Sequence, residues 1–167
     1  LDNEEWSKFA LSYFTGKRAE DIENQINEFL TTIIEPIINI YALRLLHEHS
    51  HNNDIMLLAS ATNSVIVNPI AKRLGFKNIV ATDVEMIDCI YTGKIQGEHA
   101  LGKGKLLKVK KWMNDNGFLD FKDTVFYSDS INDLPLLLKV NQAIAVNPDD
   151  KLRQESNERS WEIIDLP

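Results

Sequence analysis

The sequence predicts an α/β fold: three layers, with a mainly parallel sheet between helices. Three observations predict it. From residue 55 onward, strand and helix segments alternate, the pattern of successive βαβ units. The first strand segment, residues 55–59 (IMLLA), is continuously apolar, as expected of a parallel strand buried on both faces. Several strand segments end in polar residues just before a helix can start, the edge where open α/β sheets bind ligands.

With 167 residues, 44% of them hydrophobic and 26% charged, the chain can build one domain with a substantial core and a small appendage. A net charge of −7 argues against general binding to nucleic acid or to anionic membranes. Cys89 is the only cysteine, which excludes an internal disulfide and fits a reducing compartment. No apolar run is long enough to span a bilayer and no signal peptide is recognisable, so the expected location is cytoplasmic. The chain opens on Leu1-Asp2-Asn3 without an initiator Met; the beginning of a longer protein is expected to be absent.

Residues 1–32 are expected to be helical. Trp6, Phe9, Ala10 and Tyr13 recur at helical spacing behind an Asp2 or Asn3 cap, and Gly16 ends that helix. Ile22, Ile26, Phe29, Leu30 and Ile33 form the apolar stripe of a second helix. Pro36 is expected to open a third, over 37–51, which ends in His47-Glu48-His49-Ser50-His51. His47 and His51 stand one helical turn apart, but no third ligand is marked. That favours a solvated helix end over a zinc site.

After the 55–59 strand, Thr62 or Asn63 can cap a helix that runs to Leu74, closed by Gly75. Residues 78–82 (NIVAT) form the next strand. Residues 90–95, with Gly93 as the turn residue, predict a small β excursion outside the main sheet. A helix over Leu106–Trp112 ends near Asn116-Gly117. Residues 124–127 (TVFY) form a buried strand that meets Ser128-Asp129-Ser130. A helix then carries Asn132 and Asp133 in its first turn and Leu134, Leu137 and Leu138 at helical spacing. Residues 142–146 form the last core strand, 149–160 a polar helix, and 161–164 an edge strand.

Three polar positions fall in comparable places. Ser60 ends a strand, Lys105 begins a helix after Gly102-Lys103-Gly104, and Asp129 and Asp133 follow another strand. A hydroxyl with neighbouring backbone N–H groups can bind phosphate oxygens at a helix N-terminus. A lysine neutralises charge beside them, and a carboxylate pair suits Mg²⁺. Taken singly, each has an ordinary reading: a small residue in a turn, a solvated lysine, an N-cap.

In order, the segments LLASATNSVIVNPIAKRLGF, IVATDVE, YTGKIQGE, GKGK, FYSDSINDLPLL and AVNPDDKLR resemble motifs II, III and IV and their surroundings in the haloacid dehalogenase-like (HAD) phosphatases. The match is to the phosphoserine-phosphatase-like subfamily (HAD-IB), and it extends from Glu35 onward. The resemblance implies a Rossmann-like HAD core over 35–167 and a helical cap remnant over 1–34. It implies that Ser60 binds the phosphoryl group, with Ala61, Thr62 and Asn63 beside it. By the same resemblance Lys105, rather than Lys103, steadies nucleophile and phosphate. Asp129 is implied as a magnesium ligand, and Asp133 as its partner, orienting metal-bound water or the lysine; Asn132 can contribute. Ser128 stands where many relatives have glycine.

The resemblance also implies a leading strand that ends in Asp-x-Asp, whose first aspartate attacks phosphorus and whose second is general acid and base. No Asp-x-Asp occurs in the 167 residues. Asp54 precedes its strand and Asp83 belongs to a neighbouring one. The core is therefore expected to lack its first, nucleophile strand, that segment of the same protein being a separate piece, absent from this sequence, or removed. The expected activity is Mg²⁺-dependent hydrolysis of a small phosphorylated metabolite such as phosphoserine or histidinol phosphate. A non-catalytic binding or regulatory remnant is the alternative. A receiver-like signalling domain would need an acid pair near its start and a central phosphoacceptor aspartate, and neither is visible.

Overall fold

The computed structural model describes residues 9–167. Of the first expected helix, residues 9–12 are helical, and its caps at Asp2 or Asn3 lie outside the described residues. The chain divides into two compact units, Leu1–His99 and Ala100–Pro167.

In the first unit, α1 (Ala19–Phe29) runs on through a π-helical turn at Leu30–Ile34 to Ile37. Pro36 therefore does not open a new helix. Proline has no N–H for the i−4 carbonyl, and the wider π turn just before it absorbs the mismatch. The break comes at Ile38-Asn39, where the backbone becomes extended and the Asn39 side chain accepts from the Tyr41 N–H at 2.8 Å. This caps α2 (Ile40–His51), which buries no residue. Among the described residues no single helix is long and apolar enough to cross a membrane. One pair passes that test by length and composition, Ala19–Ile37 with Ile40–His51, but it is bent by 99°.

Strand β1 (Leu57–Asn63) begins two residues later than the apolar run and continues through the polar segment behind it. It pairs in parallel with β2 (Asn78–Thr82), Leu57 opposite Asn78 and Ala59 opposite Val80, and the register slips between Ala59 and Asn63. The expectation that this strand is buried on both faces fails: its residues are half-buried except Thr62, which is exposed, and Ile55, ahead of it, is 63% exposed. Its second edge has no ladder partner among the described residues. α3 (Ser64–Arg73) buries Val65, Val67 and Ala71. Leu11, Phe14, Ile22, Val65 and Val84 form one core cluster.

The β excursion is a hairpin of β3 (Val84–Ile87) and β4 (Ile90–Ile95). Its turn is not at Gly93 but at Asp88-Cys89, with φ of 51° and 64°, as a two-residue hairpin requires. Gly93 lies within β4, whose backbone also bonds residues 16 and 17: the Gly16 N–H donates to the Tyr91 carbonyl and the Tyr91 N–H to the Lys17 carbonyl.

The second unit contains α4 (Lys103–Asp115), β5 (Val125–Ser128), a 3₁₀ turn at Ile131–Asp133, α5 (Leu134–Leu137), β6 (Gln142–Val146), α6 (Asp150–Arg159) and β7 (Glu162–Ile164). The three strands form one parallel sheet in the order β5-β6-β7. β5 is half-buried rather than buried, with Val125 41% exposed. The helix expected after Asp129 is short. Its first turn is 3₁₀, Pro135 lies in the first turn of α5, and Leu138 is already the exposed C-cap. Leu137, Ala143, Ala145 and Leu152 form the buried cluster between this sheet and its helices.

Candidate functional site

Residues 105, 109 and 113 lie on one face of α4, and Lys105, Val109 and Met113 are all buried. A lysine at an apolar-face position has to find an anion, because an unpaired buried ammonium is far too costly. Lys105 finds one in Asp133: Nζ lies 2.5 Å from Oδ1. The other carboxylate oxygen, Oδ2, accepts the Ser128 hydroxyl at 2.8 Å. Ser128 closes β5 and is itself buried. Lys103, two residues away, is exposed, as its place on the opposite face dictates.

The loop from β5 to α5 is tightly specified. The Ser130 N–H donates to Ser128 Oγ at 3.2 Å, and the Asn132 N–H donates to Ser130 Oγ at 3.3 Å. Asp129 is exposed, at the C-terminal end of a parallel strand, and its carboxylate takes no partner among the described residues. Gly102 (φ 56°, ψ −121°) caps α4 in a conformation open essentially to glycine alone. A Cβ there would stand 3.7 Å from the Asn132 carbonyl.

Asp149, which sequence reasoning placed only at the start of a polar helix, is the clamp on this loop. Its N–H donates to the Asp129 carbonyl at 2.8 Å. Its Oδ2 accepts from the Ile131 N–H at 2.9 Å, and its Oδ1 accepts from the Leu152 N–H at 2.8 Å, capping α6. Partial desolvation pushes its carboxyl upward, but the N–H groups of Leu152 and Ile131, with Ser130 and Lys151, outweigh it and hold the group below the usual range. The run Asn147-Pro148-Asp149-Asp150 marks a cap in the sequence; its reach back to residue 131 could not be read there.

In the first unit, Ser60 lies where β1 loses register, and its Oγ accepts from the Thr62 N–H at 3.2 Å. Asn63 Oδ1 accepts from the Ile66 N–H at 3.2 Å and caps α3. The Ala61 carbonyl accepts the Thr82 hydroxyl at 2.7 Å. His47 and His51 stack on one another, while His49 Nδ1 lies 2.8 Å from Asp54 Oδ2.

The donors fit magnesium in kind, since Asp129 offers a solvent-facing carboxylate and the ion commonly takes one or two acids while keeping several waters. Among the described residues no group of three or more His, Cys, Asp or Glu side chains stands ready to hold a metal. Asp133 has both oxygens committed, so Asp129 is the more available ligand.

The sequence pattern of the haloacid dehalogenase-like hydrolases matches residues 1–138. A histidinol-phosphatase of Neisseria meningitidis is 34% identical over 99% of this chain and 76% of its own length. A phosphoserine phosphatase of Mycobacterium tuberculosis is 35% identical over 94% of this chain, which spans 51% of that protein. Among solved structures, a protein of unknown function from Bordetella pertussis Tohama I superposes over the whole chain with a TM-score of 0.94 at 35% identity, and 76% of that protein is covered. A substrate-bound phosphoserine phosphatase, 21% identical, superposes over 98% of this chain and 72% of its own with a TM-score of 0.68, which shows the shared fold.

Proposed function

Because this chain belongs to the haloacid dehalogenase-like hydrolases, we propose that it is the C-terminal portion of a Mg²⁺-dependent phosphomonoesterase acting on small phosphorylated metabolites. The observation that carries this reading is the buried Lys105–Asp133 pair, whose acid lies in the same short segment after β5 as the exposed Asp129. A fold retains a buried ammonium at a strand's C-terminal edge at a cost, and charge handling at a ligand site accounts for it.

In this reading Lys105 supplies fixed positive charge for phosphoryl oxygens and for the attacking carboxylate. Asp133 holds the ammonium in place. Asp129, with Asp133 beside it, holds Mg²⁺, which when bound neutralises phosphate charge. Ser60 donates its hydroxyl to a phosphoryl oxygen, with Ala61, Thr62 and Asn63 supplying the surrounding backbone and side-chain groups. The attacking aspartate comes from outside these residues, which contain no Asp-x-Asp; an aspartyl-phosphate is the expected covalent species. Residues 1–34 belong to a helical cap in this assignment and 35–167 to a core completed by that leading strand. A cytoplasmic location goes with it. Amino-alcohol phosphates such as histidinol phosphate or phosphoserine are the substrates suggested by the names of the two relatives.

The test is hydrolysis of p-nitrophenyl phosphate by the polypeptide that carries its leading segment. Asp129→Asn is expected to abolish the Mg²⁺-dependent turnover, and unchanged turnover would refute the site. A second reading, a non-catalytic binding module, is favoured by the missing Asp-x-Asp. It predicts that neither the 167 residues nor the longer polypeptide hydrolyses the ester.

A further inference from the structure

Asp133 spreads two oxygens over two partners, Lys105 Nζ on Oδ1 and the Ser128 hydroxyl on Oδ2. The two contacts differ in kind. An ammonium is a point charge with rotatable donors, so it attracts a carboxylate without fixing the plane of the group. The terminal torsion of aspartate is broad, and the lysine alone leaves it free to turn. The hydroxyl has one proton in a defined direction. Ser128 Oγ accepts from the Ser130 N–H at 3.2 Å, and an ionised Asp133 offers no proton, so the hydroxyl hydrogen is directed at Oδ2. Ser128 is 8% exposed, which leaves solvent little chance to replace it. Its backbone stays in register with Ala145 on β6, so the donor is mounted on a strand.

We propose that Ser128 is a positioning residue of the reaction: its hydroxyl sets the plane of the Asp133 carboxylate and thereby the place where Lys105 Nζ is held. The proposal rests on the phosphatase reading of Lys105 and Asp133. It assigns a role to the last residue of β5, which acts through Asp133.

The experiment measures Mg²⁺-dependent hydrolysis of p-nitrophenyl phosphate by the complete polypeptide and its Ser128→Ala, Ser128→Gly and Ser128→Thr variants, with melting temperatures and a crystal structure of Ser128→Ala. Misplacing a catalytic cation by a fraction of an ångström costs turnover. Ala and Gly are expected to lower kcat on the order of 10- to 100-fold with KM within about threefold, and Thr, which keeps the hydroxyl, to restore kcat to within about threefold of the parent. The Ala crystal structure should show the Asp133 carboxylate rotated. Parent-like kcat in the Ala variant overturns the proposal and leaves the phosphatase reading standing. So does a folded Thr variant as slow as Ala, or a loss of folding in both Ala and Gly, which would make the hydroxyl merely structural. A parent polypeptide without turnover overturns the phosphatase reading and this proposal with it.

Discussion

Lys105 Nζ and Asp133 Oδ1 meet at 2.5 Å with their side chains 6% and 9% exposed. In so dry a place the pair is worth less than the damage done by breaking it. Lys105→Met is expected to cost about 3–5 kcal/mol, because Asp133 is left as an uncompensated buried charge. Adding Asp133→Asn should recover more than half of the loss, since the amide is neutral and its oxygen can still accept from Ser128. Urea unfolding of the parent and the two variants checks both values.

Asp149 ties the loop after β5 to the start of α6 through three hydrogen bonds. Asp149→Ala should lower stability by about 1 kcal/mol at neutral pH, the usual loss for a helix cap. The sign of its pH dependence follows from its depressed carboxyl. An Asp ionises near 3.9 in the unfolded chain, so the ionised group contributes fully above that value. The contribution is lost as pH falls through the lower, folded value. Melting curves of parent and Asp149→Ala should therefore differ by a constant amount from pH 7 to about pH 5 and converge in more acid solution.

How much of this was legible beforehand depended on whether the signal was local. The alternation of strands and helices needs only periodicity, and β2, β6, α6 and β7 fall where it puts them. Lys105 was singled out by the resemblance of its Gly-x-Gly-Lys segment and not by its surroundings, since taken alone it read as one more solvated lysine; its burial on one helical face with Val109 and Met113 is a finding of the structure. Burial of a strand is not local, since it depends on what lies on both faces and both edges. An apolar run at 55–59 could not reveal that β1 would be half-buried with an edge unpartnered among the described residues. Nor could a Gly-containing segment disclose that its turn lay at Asp88-Cys89, where two ordinary residues accept positive φ. The clamp from Asp149 to Ile131 spans 18 residues, beyond the reach of any short-range pattern.

Asn63 combines an extended backbone with a side chain that accepts from the Ile66 N–H, the geometry of an N-cap. Asn63→Ala is expected to cost about 1 kcal/mol, and Asn63→Ser only a few tenths, because serine can make the same bond. Thermal unfolding measures both. A loss in the Ser variant as large as in Ala would mean that the amide holds the chain by some other contact.

Gly93 is constrained twice. Its φ of +80° lies in the left-handed region, and a Cβ built on it would fall 2.1 Å from Thr15 Oγ1, closer than non-bonded atoms approach. The backbone part of a substitution costs about 1–2 kcal/mol by itself. Thr15 cannot retreat easily, because its hydroxyl donates to the Leu11 carbonyl and the backbone on either side of Gly16 is bonded to β4. Gly93→Ala should therefore destabilise by more than the backbone part, on the order of 2–3 kcal/mol. Thr15→Ala alone should cost about 1 kcal/mol or less, the net value of one part-buried hydrogen bond. In the double variant the 2.1 Å clash is gone, although Thr15 Cβ would remain 3.2 Å away. Its loss should fall below the sum of the single losses, by about the steric share of Gly93→Ala. Strict additivity in a urea double-mutant cycle would show that the strain is all in the backbone and that Thr15 yields freely.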